Sequence, residues 1–98
     1  MRGGSIEGLW IILVDEEGRK APLLARAGNG LYLLAFGDGQ KARKFMLESR
    51  LEEVAEARLV VKSNLPGVLG VLEEKKASGV LVDYDHATNT YREAGLVY

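Results

Sequence analysis

The chain contains no cysteine, one histidine and two prolines, and its 13 basic side chains nearly cancel its 14 acidic ones, leaving a net charge of −1. Without cysteine there can be no disulfide, no thiolate nucleophile and no cysteine-held zinc or iron–sulfur centre. A balanced charge gives no overall attraction to a nucleic-acid backbone or an anionic membrane, so neither is expected as a partner. The longest apolar run, Leu9 to Val14, falls far short of the ~20 residues of a membrane-crossing helix, and Glu7 interrupts any signal-like region before it. These absences point to a cytoplasmic protein, and no motif calls for a cofactor. Asparagine and glutamine are also scarce beside abundant Glu, Arg and Lys, a pattern frequent in heat-adapted proteins.

What is present is enough for one domain. A chain of 98 residues that is 47% hydrophobic and 28% charged has the material for a single core and a soluble surface. Met1 to Ser5 has two adjacent glycines and no apolar anchor, so a mobile start is expected there. The run Leu9 to Val14 suits a strand covered on both faces, with Trp10 in the core. A charged turn follows, then a strand from Pro22 to Ala27. Gly28-Asn29-Gly30 then leads into Leu31 to Phe36, and Asn-Gly between apolar runs is a strong hairpin signal. Asp38 is placed to cap a helix carrying Ala42, Phe45 and Met46 on one face. Ser49 and Glu52 form a capping box for a short second helix around Leu51, Val54 and Ala55. Arg58 to Lys62 reads as a further strand, Asn64 and Pro66 as the start of another helix over Val68, Leu69 and Leu72, and Gly79 as the residue that stops it. Val80 to Tyr84 is the next strand. Beyond it, Thr90 to Tyr98 either returns as an edge strand or docks as a tail.

The expected fold is therefore α+β. It is a single domain over 6–98, with a mixed sheet of about five strands and two or three helices on one face. The sheet begins as an antiparallel meander and continues through two strand–helix–strand crossovers.

Three groups of residues carry possible function. Gly37-Asp38-Gly39-Gln40-Lys41-Ala42 has the spacing of a phosphate-binding turn, with Gly37, Gly39, Gln40, Lys41 and Arg43 as anion-binding candidates. A plain strand-to-helix turn capped by Asp38 explains the same residues without a ligand. Asp83, Asp85 and His86 could hold a hard cation or share a proton in a metal-assisted hydrolase. Acidic residues are also ordinary at strand ends. Tyr84, Tyr91, Leu96 and Tyr98 concentrate amphipathic side chains near the C-terminus, as interfaces do, although a tail docked on its own domain would too. No nucleophile elbow accompanies the four serines. The leading expectation is a non-enzymatic interaction or regulatory module with a protein partner or a second copy of itself as a homodimer.

Leu31 to Ala42, an apolar strand ending in an aromatic and followed by a short polar turn and a helix, resembles the N-terminal domain of the SseB-like bacterial proteins, named for enhanced serine sensitivity. Leu59-Val60-Val61, then Leu65 to Leu72, then Gly79 to Asp83 resembles that family's strand, helix and final strand. The likeness covers most of Leu9 to Tyr84. Gly37 stands where the family usually has threonine or serine, and Asp83-Tyr84 replaces its usual Asn-Pro. The resemblance implies a domain not known as enzymatic, and no functional residue is carried over from it.

Overall fold

The fold is built on β1 (Trp10–Glu16), whose neighbours Ile11 and Ile12 are both fully buried, one on each face of the sheet. Alternation along a strand sends successive side chains to opposite faces, so adjacent buried isoleucines require cover on both. The computed structural model describes residues 6–85, 88 and 90–94. The expected mobile start at 1–5 lies outside the described residues, as do His86, Leu96 and Tyr98.

β1 turns through Glu17 and Gly18, both at positive φ, into β2 (Arg19–Pro22). The chain then bends at Leu23 and leaves along a new partner as β3 (Leu24–Ala27), which pairs with β4 (Gly30–Phe36). Pro22 cannot donate to a ladder, and Leu23 sits at the fork: its amide donates to Ile12 and its carbonyl accepts from Leu34. The expected antiparallel meander is present, with its middle strand split in two.

α1 (Gly39–Glu48) leads to β5 (Ala55–Leu59), and α2 (Leu65–Glu74) leads to β6 (Gly79–Asp85) and β7 (Thr90–Ala94). β1 lies between β5 and β4, antiparallel to both; β6 runs parallel to β4 on its other side, and β7 pairs with β6. Among the described residues this makes one mixed sheet of seven strands with two helices, an α+β architecture. The expected number of about five rises because Leu23 divides one strand and because Thr90–Ala94 returns as an edge strand.

The helices lie on opposite faces, a correction to the expectation of one face. α1 packs Ala42, Phe45 and Met46 on Ile12, Leu34, Phe36 and Leu81, whereas α2 packs Leu72 on Ile11, Leu33, Val80 and Val82. The cause is topological. The β4–α1–β5 crossover runs across the sheet in one direction and β5–α2–β6 runs back in the other. Right-handed crossovers of opposite direction place their helices on opposite faces.

The expected short helix near Leu51 does not form. α1 ends when Arg50 takes φ 59°, with Arg50 N–H on the Leu47 carbonyl and Leu51 N–H on that of Met46. This is a Schellman closure, and Leu51 packs into the same cluster as Met46. α2 stops the same way at Lys76, also at φ 59°, whose N–H reaches Glu73 while Ala77 N–H reaches Leu72. Lys76, and not Gly79, ends this helix; Gly79 opens β6. Because the chain turns so early after α1, β5 starts at Ala55, ahead of the expected Arg58–Lys62 strand.

Candidate functional site

Among the described residues, two regions bring together features that a ligand or a partner could use: a cleft at the carboxyl ends of β4 and β6, and the outer edge of β5. The first lies where adjacent parallel strands send the chain away in different directions, the usual place for a ligand crevice in a sheet of this kind.

A bulge in β6 shapes the cleft. Val82 pairs with Arg92 and Asp85 with Thr90, so Asp83 and Tyr84 together oppose the single residue Tyr91. Asp83 adopts φ 59°, a left-handed conformation that aspartate tolerates better than most residues. The turn aims its carboxylate at the start of α1. Oδ1 accepts from Gly37 N–H at 2.8 Å and Oδ2 from Lys41 Nζ at 3.3 Å. Asp38 Oδ1 accepts from Lys41 N–H at 2.8 Å, the expected cap.

The residues of the anion reading are thus divided. Gly37 and Lys41 face Asp83, which holds the position a bound anion would need. Gly39, Gln40 and Arg43 line a separate shallow surface with Asp38. Gly39 turns its Cα towards Trp10, where a Cβ would meet the indole at 3.4 Å, an ordinary van der Waals contact.

Asp83 and Asp85 do share the cleft, of about 280 Å³, with Lys41, Lys44, Glu48, Tyr84 and Thr90 over a floor of Phe36 and Phe45. Among the described residues no group of three or more acidic or histidine side chains is placed to hold a metal ion. Of the proposed interface tyrosines, Tyr84 is half-buried, with its ring centroid 6.0 Å from Phe45 and 6.2 Å from Tyr91. Tyr91 is the outermost ring and is 46% exposed.

The edge of β5 was not anticipated. β5 pairs with β1 on one side, and among the described residues no backbone partner lies along the other. The ladder's parity follows from one bond, Val60 N–H to the Leu9 carbonyl at 2.9 Å. In an antiparallel pair, residues that bond the partner alternate with residues whose N–H and C=O point away from it. Val60, Arg58 and Glu56 therefore face β1, and Leu59, Ala57 and Ala55 present their backbone groups outward. Asn64 confirms the direction, since its Nδ2 reaches round to the Leu59 carbonyl at 3.0 Å.

Side chains flank this edge on both faces. Ala55 and Ala57 pack partly into the α1 cluster, while Glu56 and Arg58 pair with each other on the other face and Lys20 lies 3.9 Å from Glu56. Val54, just before the strand, is 57% exposed, and Leu47 in the last turn of α1 is 55% exposed.

The chain matches no family model, no curated protein and no solved structure. Its function has to be argued from these two regions alone.

The sequence held a signal for the second: Ala55-Glu56-Ala57-Arg58-Leu59 alternates small or apolar residues with charges, as a half-covered strand does. The helix-forming capping box before it hid that pattern.

Proposed function

We propose that the protein is a non-enzymatic protein-interaction module whose partner adds a strand to the open edge of β5. The observation that carries this reading is the outward row of backbone groups at Ala55, Ala57 and Leu59, of which the Leu59 carbonyl is already engaged by Asn64, with the exposed Val54 next to it in the chain. An unpaired edge is a template for strand addition, in which main-chain bonds give affinity and flanking side chains give selectivity. Short, charged edges are also how proteins keep strangers away, so the partner must match Glu56 and Arg58. The reading includes a cytoplasmic location, supported by the cysteine-free composition. Among the described residues no helix is long and apolar enough to cross a membrane. Kinship with the SseB-like domains belongs to the same proposal and rests on the segments around Leu31–Ala42 and Leu59–Asp83.

The test is to compare amide spectra of the isotope-labelled chain in dilute buffer and in cell extract. Signals from 54–59 are expected to broaden or shift in extract. Changes confined to Lys41, Lys44 and Asp83–Asp85 would move the function to the cleft, and an unchanged spectrum would contradict both.

A second reading, binding of a small molecule or anion, is favoured by the position of the cleft and by Lys41 and Lys44 in its wall. It requires a ligand able to displace Asp83 from Lys41 or to bind beside it. A thermal-shift series with inorganic phosphate and nucleotides should then raise the melting temperature, and the rise should vanish in Lys44→Ala.

A further inference from the structure

We infer that the strand added to β5 is β5 of a second copy of this chain, paired antiparallel about a two-fold axis through Ala57. The inference rests on the edge reading above and deepens it by naming the partner.

The argument is one of register. Ala55, Ala57 and Leu59 carry the outward N–H and C=O groups, the Leu59 carbonyl sharing its lone pairs with Asn64, so only registers that place these residues opposite one another can form a ladder. A two-fold axis at Ala57 sets Ala57 opposite Ala57 of the second copy and Ala55 opposite its Leu59. Glu56 then faces Arg58 of the other copy, and Arg58 faces its Glu56. These are non-hydrogen-bonded pairs, in which facing side chains come closest, and opposite charges there are favourable. Slipping by two residues in either direction instead sets Glu56 against Glu56 or Arg58 against Arg58. Like charges directly opposite are unfavourable, so the same two residues that repel a random strand select one register of a self-pair.

The surroundings agree. The half-buried Glu56 and the exposed Arg58 lie on the same face and already pair within one chain, so two copies build a quartet of charges in which every neighbour is of opposite sign. Just before the strand, an isologous pair brings the exposed Val54 of each copy towards the end of the other's strand. The product is one continuous sheet through two molecules, with both clefts left open.

The test is light scattering of the full chain over a concentration range, with three variants. The native chain is expected to pass from one chain mass to two as concentration rises. Ala57→Pro removes an outward amide that β1 does not use and should leave a monomer. Because proline could also unfold the strand, the charges give an independent test. Glu56→Arg alone and Arg58→Glu alone each put like charges opposite and should weaken self-association roughly tenfold or more. An equimolar mixture of the two restores both opposite pairs and should yield the mixed dimer.

A native chain that stays monomeric throughout, a dimer that survives Ala57→Pro in folded form, or a mixture that fails to associate would overturn the inference. Such a failure is distinguishable from failure of the edge reading itself. Amide signals of 54–59 that still respond in extract would keep a foreign strand as the partner.

Discussion

The strand-end cleft and the β5 edge both offer polar groups at the border of the sheet, and they dispose of them in opposite ways. At the cleft the chain answers its own donors: Asp83 takes Gly37 N–H and the Lys41 ammonium, and Asp38 takes Lys41 N–H. At the edge the donors of Ala55 and Ala57 are turned outward, with the exposed Val54 just before them in the chain. A region that satisfies itself contributes to stability, whereas solvent-facing groups on a strand edge stay available to another strand.

Substitutions should separate the two regions by what they disturb. The largest effect on stability is expected from Asp83→Ala, which removes a bond that ties β6 to the start of α1 and leaves a Cβ at positive φ. A loss of about 1–2 kcal/mol should appear in urea unfolding. Asp83→Gly should be milder, by up to about 1 kcal/mol, because glycine accepts the left-handed backbone. Equal losses in the two variants would show that the bond, and not the conformation, accounts for the whole effect.

Asp38→Ala removes the side-chain cap of α1 and should cost about 1 kcal/mol without altering association. At the helix ends the expected sign reverses. Arg50→Gly and Lys76→Gly should each stabilise by about 0.5–1 kcal/mol, since the left-handed penalty on a side chain exceeds glycine's added freedom in the unfolded chain. The smallest stability effect belongs to the edge. Glu56→Arg and Arg58→Glu lie on an exposed strand and should change the unfolding free energy by less than about 0.5 kcal/mol while strongly weakening self-association. A loss much above that would mean that these charges hold the monomer together, which would blur the contrast between the regions.

Much of the architecture was legible because local signals and tertiary needs agreed. The run around Ile11 and Ile12, the hairpin after Ala27 (which turns on Gly28-Asn29, with Gly28 at positive φ, one residue before the expected Asn29-Gly30), the Asp38 cap and the Ala42, Phe45, Met46 stripe each led to an element found close to where it was expected. The illegible parts depend on contacts distant in sequence or on unusual backbone conformations. Nothing local marks Arg50 or Lys76 as left-handed, because the usual signal is glycine. The side on which each helix packs follows from crossover direction, which needs the order of strands in the sheet. At the candidate sites, the Gly37 turn and Asp83 were each visible as separate motifs, but their union depends on the β6 bulge and the parallel pairing of β4 with β6. The β5 edge was hidden by the competing helix signal of Ser49 and Glu52, which the tight closure at Arg50 overrode.

The most direct test is residue-by-residue hydrogen exchange of the native chain at low and high protein concentration. The amides of Ala55, Ala57 and Leu59 should exchange freely when dilute and slow as concentration rises, while those of Glu56 and Arg58, bonded to β1 in either case, should change little. Exchange at Ala55 and Ala57 that is equally fast at both concentrations would contradict a self-paired edge.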